Sequence, residues 1–68
     1  MDFTKRFNEV LKNSNISQVD LARACNISKQ NITNYKRGIT VPSIETLYLI
    51  CKTLDVTSDY LLGLSNYI

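Results

Sequence analysis

The sequence predicts an all-α domain of five short helices packed around one core. Three observations lead there. Apolar residues recur at helical spacing in successive stretches and nowhere alternate as a half-buried strand requires. A Ser or Thr stands before four of these stretches, placed to accept a backbone N–H bond in the first turn. Asn26, Gly38 and Gly63, residue types that tolerate a left-handed backbone, close three of them. With 68 residues there is room for a single core, so 1–68 is read as one domain, its core over 4–63 and an apolar tail over 64–68.

Helix 1 is expected from about Thr4 to Asn13, capped by Asp2 or Thr4, with Phe3, Phe7, Val10 and Leu11 on its inner face. Asn13, Ser14 and Asn15 break the pattern and form a loop. Helix 2 starts at the Ser17 cap, with Asp20 in its first turn and Leu21, Ala22 and Cys25 on one stripe. Asn26 stops it, Ile27 points back inward and Ser28 caps helix 3, which runs from Lys29 to about Arg37 and buries Ile32 and Tyr35. So short a joint forces a steep crossing, and helices 2 and 3 read as a helix-turn-helix.

Residues 39–42 make a loop, and Pro42 directly precedes the Ser43 cap of helix 4, Ile44 to Leu54. Leu47, Ile50, Cys51 and Leu54 form its inner face. Thr57 caps helix 5, Ser58 to Leu62. One local device recurs at four helix starts: an apolar residue before the cap and another four residues after it, as in Ile16 and Leu21, Ile27 and Ile32, Pro42 and Leu47, Val56 and Leu61.

Composition removes several classes of function. There is no histidine, no glycine-rich phosphate loop and no metal-ligand spacing, so neither catalysis nor a metal or cofactor site is expected. The two cysteines, Cys25 and Cys51, lie on apolar stripes and read as small buried hydrophobes in a reducing compartment. The N-terminus lacks a signal-peptide core and no apolar run approaches a membrane span, so a cytoplasmic protein is expected. A net charge of +2 decides little, but its distribution does more. Between Asp20 and Glu45 the chain carries Arg23, Lys29, Lys36 and Arg37 and no acidic residue.

If Ile32 and Tyr35 face inward, then Gln30, Thr33, Asn34 and Arg37 lie on the opposite side of helix 3, flanked by Lys29 and Asn31. These residue types match the major groove: Gln and Asn bond adenine, Lys or Arg bonds guanine, and a Thr methyl meets the thymine methyl. Gln18 opens helix 2, where the positive end of the dipole favours a phosphate. Ser28, Asn31, Lys36, Arg37 and Thr40, around the two ends of helix 3, are the other candidate phosphate contacts.

Taken together, Ile16-Ser17-Gln18, Leu21-Ala22, Ile27-Ser28, Ile32, Tyr35-Lys36-Arg37-Gly38, Pro42-Ser43, Thr46-Leu47, Leu54, Val56 and Asp59 to Gly63 resemble the Cro/phage-repressor (XRE-type) helix-turn-helix family. The resemblance covers residues from about 4 to 63. It implies a lambda-repressor-like DNA-binding domain, with Gln18 on a phosphate and Lys29, Gln30, Thr33 and Asn34 in base-reading positions. Two positions depart from the family pattern. Asn26 stands where relatives usually carry Gly, and Leu11 and Lys36 replace an Arg–Glu pair. Lys36 is expected to lay its stem over Leu11 and free its ammonium for a phosphate.

The expected function is sequence-specific binding of double-stranded DNA by a transcriptional regulator, most simply a repressor. A homodimer would sit on a pseudo-palindromic operator. Tyr60, Leu61, Leu64, Tyr67 and Ile68 are the candidate dimer face, the alternatives being that the tail folds back on its own core or that a longer native chain continues past Ile68. A protein-interaction module on the same scaffold, an antitoxin or adaptor, is the competing reading. No small-molecule ligand and no membrane partner are expected.

Overall fold

A computed structural model describes residues 1–68. It contains five helices and no strand: α1 Phe3–Asn13, α2 Gln18–Ala24, α3 Lys29–Arg37, α4 Ile44–Leu54 and α5 Ser58–Leu62. Four starts obey the expected rule. The hydroxyls of Ser17, Ser28, Ser43 and Thr57 accept from the backbone N–H groups of Asp20, Asn31, Thr46 and Tyr60 at 3.0, 3.2, 3.2 and 3.1 Å. Each bond satisfies one of the donors that a helix start leaves open.

The first helix departs from expectation. It begins at Phe3, and neither Asp2 nor Thr4 caps it with a side chain. Asp2 lacks the extended backbone of a capping residue (φ −92°, ψ 16°), and its carboxylate lies 4.0 Å from Arg6 Nε. The stops fall as expected at Asn26, Gly38 and Gly63, with φ of 56°, 75° and 82°. Asp55 is a fourth left-handed residue (φ 57°), ending α4 without the glycine that would have announced it.

All five helices contribute to one core: Phe3, Phe7 and Val10; Leu21, Ala22 and Cys25; Ile32 and Tyr35; Ile50 and Leu54; Leu61. The Phe3 and Phe7 rings stack at 5.3 Å, and Tyr35 meets both edge-on at 6.4 and 6.1 Å, the arrangements that ring quadrupoles favour. This cluster joins α1 directly to α3. Leu11, Leu47 and Cys51, expected on inner faces, are only half-buried and lie along the margin of the core. Ile50 and Leu54 occupy the centre of the α4 stripe instead, and its edges are left partly open.

Leu61 corrects the expected dimer face. Its exposure is 0%, so it fills the core and cannot meet a second copy. Tyr60 is also engaged at home, with the Arg6 guanidinium 4.4 Å from its ring centroid. Beyond α5 the tail folds back, as the alternative reading had it. Arg6 donates to the carbonyls of Tyr60 and Ser65, and Thr57 donates to that of Tyr67. Leu64, Tyr67 and Ile68 nevertheless stay 75%, 85% and 65% exposed. No helix is long and apolar enough to cross a membrane.

Candidate nucleic-acid interface

The turn between α2 and α3 is built from the residues that foretold it. Asn26 adopts the left-handed conformation, and the Ile27 N–H then donates to the Ala22 carbonyl at 3.0 Å, closing the end of α2. Ser28 opens α3 two residues after Asn26. Ile32 and Tyr35 bury the inner side of α3, and that burial sets its rotation about its own axis.

The opposite side carries the expected constellation. Lys29, Gln30, Asn31 and Arg37 are exposed, while Thr33 and Asn34 are half-exposed. Ser28, Lys36 and Thr40 are exposed around its two ends. No carboxylate faces them through an ion pair: the single ion pair of the molecule joins Asp2 to Arg6. The bases are therefore uncompensated, and the helix presents amides, a hydroxyl and cations together.

Several of these side chains are bound to one another. Gln30 Nε2 donates to Asn34 Oδ1 at 3.1 Å, one turn further on. Gln18 Nε2 donates to Thr33 Oγ1 at 2.7 Å and to the Lys29 carbonyl at 3.4 Å. Lys36 Nζ donates to Gln18 Oε1 at 3.3 Å. The side chain of Gln18 thus engages its hydrogens and one lone pair of its oxygen inside the protein.

Lys36 is placed partly as expected. It lines one surface hollow together with Leu11, Asn8 and Lys12, on the same side of the molecule as the expected partner. Its ammonium is not free, because the Gln18 amide carbonyl is turned toward it. That partner is neutral, and the positive charge remains. Asn8 fastens this end of α3 to α1 by donating to the Lys36 carbonyl at 2.9 Å.

A second surface escaped the sequence reading. Ile44 and Tyr48 on α4 are 86% and 59% exposed, with Ile39 and Val41 exposed on the preceding loop. Their signal was present: Ile44 and Tyr48 lie four apart and off the inner stripe, which makes a second apolar side of α4.

Comparisons with known proteins identify the scaffold that carries these residues. A helix-turn-helix family profile matches residues 8–61. The HTH-type transcriptional regulator ImmR of Bacillus subtilis is 33% identical over 63 residues, covering 93% of this chain and 50% of that protein. The solution structure of the SOS-response transcriptional repressor LexA from Eubacterium rectale superposes with a TM-score of 0.81 at 18% identity, covering 88% of this chain and 64% of that one. The LexA likeness shows a shared fold, and the chain spans half the length of the ImmR protein that it matches. With the family profile running from α1 into α5, the chain belongs to the XRE-type helix-turn-helix family.

Proposed function

We propose that this chain binds double-stranded DNA by laying α3 in the major groove, and that it regulates transcription, acting as a repressor by occupying its operator. The observation that carries this reading is the outer side of α3. Lys29, Gln30, Thr33 and Asn34 share it, Ile32 and Tyr35 hold it outward, and no carboxylate interrupts the sequence between Asp20 and Glu45. Family membership and the ImmR relative support it. In this reading Lys29, Gln30, Thr33 and Asn34 meet base edges. Ser28, Asn31, Lys36, Arg37 and Thr40 meet phosphates, and Gln18 acts chiefly by holding its neighbours.

One such helix reads only a few base pairs, so a homodimer on a pseudo-palindrome is part of the proposal. Half-sites lie about 34 Å apart along the duplex. A domain measuring 28 × 23 × 21 Å is of the right size for two copies to reach successive grooves side by side. Leu64, Tyr67 and Ile68 are the tail residues still available for such a contact. The exposed Ile44 and Tyr48 favour a second reading, docking of another protein on α4.

Selection of bound sites from a random duplex pool, followed by titration at rising salt, tests the main reading. The expected result is a two-part motif whose log affinity falls linearly with log salt, with a slope of several units. Recovery of no duplex would overturn it, and salt-insensitive binding to a protein would favour the second reading.

A further inference from the structure

The side of α4 turned away from the core carries an ordered set of side chains. Ile44 and Tyr48, one turn apart, are exposed, and the half-buried Leu47 and Cys51 lie beside them. With Ser58 these four line a surface hollow of about 190 Å³. Glu45 flanks the apolar pair in the first turn of the helix and Lys52 in the last, and both are exposed. They are seven residues apart, two turns, so they share one side of the helix with Tyr48 between them. Lys52 Nζ lies 5.3 Å from the Tyr48 ring centroid, which places its charge on that side. Neither charge has an ion-pair partner within the chain, since the single ion pair joins Asp2 to Arg6. An acid in the first turn and a base in the last suit the dipole of any helix. The dipole does not require them to share a stripe with two exposed apolar side chains.

We infer that this stripe is the face on which two copies of the chain meet, α4 against α4 and antiparallel, with Tyr48 beside the two-fold axis. In that orientation the stripe is complementary to itself. Glu45 of each copy stands against Lys52 of the other, so the ion pair forms twice, and the apolar centre of one helix covers that of its partner. A parallel pairing would set Glu45 against Glu45 and Lys52 against Lys52. The tail, the other exposed apolar surface, has no charged side chain over 64–68 to fix an orientation. No residue of the stripe belongs to the outward side of α3, so both copies keep that side free. The apolar centre amounts to a few hundred Å², below the roughly 800 Å² per partner of a standard interface. The dimer is therefore weak and reversible, dissociating in the micromolar range or above. The inference rests on the homodimer of the proposed function and gives that dimer its face.

Sedimentation equilibrium of the full chain, native and variant, tests this. Glu45→Lys and Lys52→Glu each turn two attractions into two repulsions, and each is expected to weaken the dimer about tenfold. The double variant, which exchanges the two charges, should dimerise as the native chain does. An equimolar mixture of the two single variants should form the mixed dimer in preference to either homodimer, because every facing pair is again opposite in charge. Ile44→Ser, at a position outside the core, should weaken self-association about a hundredfold, since its side chain is lost from both copies. Thermal melts accompany each variant. If a charge reversal lowers stability, the mixture still decides, because both chains are then compared with themselves.

A dimer that neither charge reversal nor Ile44→Ser weakens would overturn the inference and leave the homodimer standing, with its contact elsewhere. Weakening by both reversals with no recovery in the double variant or the mixture would overturn the antiparallel pairing. If the native chain stays monomeric up to millimolar concentration, this face and the solution homodimer fall together. Groove binding by α3 is judged separately, by the duplex selection.

Discussion

Arg6 in α1 and Ser65 beyond α5 are joined by a 2.6 Å hydrogen bond from the guanidinium to the backbone carbonyl. The same guanidinium donates to the Tyr60 carbonyl at 2.9 Å and to Asn66 Oδ1 at 3.1 Å, and it lies over the Tyr60 ring. One planar cation thus fastens the end of the chain to its beginning, a task that the fork of five N–H donors performs and a lysine does not. Charge-assisted bonds to carbonyls contribute about 1.5–3 kcal/mol each where they are shielded from water. Arg6→Ala is therefore expected to cost about 2–3 kcal/mol in all, lowering the melting temperature by about 10–20 °C. Arg6→Lys should recover little of it. Thermal unfolding followed by circular dichroism checks both.

Lys36 keeps its charge against a neutral partner, and on the proposed docking it stands near a phosphate. Lys36→Met keeps an unbranched apolar stem in that hollow and removes the ammonium. Binding should weaken about equally on all duplexes, and the salt slope should fall by about 0.9. A slope equal to that of the native chain would show that Lys36 meets no phosphate and serves only to hold Gln18.

The two left-handed residues that are not glycine, Asn26 and Asp55, can be compared in one substitution series. Asn26 (φ 56°) tolerates its conformation, so Asn26→Gly should change stability by under about 0.5 kcal/mol, whereas Asn26→Ala should cost about 1 kcal/mol. Asp55 (φ 57°) caps α4 in the same region, and Asp55→Gly is expected to be neutral or stabilising by about 0.5–1 kcal/mol. Urea unfolding of the three variants measures these differences. A destabilised Asp55→Gly would mean that the carboxylate itself matters there.

Alkaline pH should loosen the core. Burial pushes the Cys25 and Cys51 thiols above their ordinary value of 9.0. Burial, and secondarily the Cys25 charge, push the Tyr35 phenol above 10.0 against a smaller opposing effect of Thr46. The unfolded chain releases these protons at lower pH than the folded one. Their contribution is thus complete below the unfolded thiol value and is lost as pH rises through the raised folded values. Urea midpoints should hold level to about pH 9 and then decline. Cys25→Ala should shift that decline to higher pH, and an unchanged profile would rule the thiol out as its cause.

Self-association distinguishes the two exposed apolar surfaces. Replacing Leu64 and Tyr67 together by Ser leaves the Arg6 bonds to backbone carbonyls in place, so the fold should survive. If the tail forms the dimer contact, sedimentation equilibrium should show this variant as a monomer where the native chain dimerises. An unchanged mass would move the contact to Ile44 and Tyr48 on α4, where Tyr48→Ser would then dissociate it.

Most of the fold was legible along the chain because its signals are local. A cap oxygen reaches an N–H three residues on, a left-handed stop depends on its own residue type, and a buried stripe repeats every turn. These rules placed α2 to α5 and the outward side of α3 without knowledge of any distant contact. Where they failed, the residue type left more than one outcome open. Asp2 turned toward Arg6 and did not cap α1, and Asp55 ended α4 in a conformation that its residue type only permits. Leu61 had two apolar neighbourhoods open to it, core or surface, and the packing of α5 against α1 and α4 chose the core. Gln18 is the sharpest case. Its place at the start of α2 was legible, but an amide can turn either way, and only the nearness of Thr33 and Lys36, fifteen and eighteen residues on, set the direction of both its ends. Helix boundaries follow from forces acting within a turn or two. The direction in which a polar side chain points depends on which groups the folded chain brings within 3 Å or so of it, and no spacing rule carries that information.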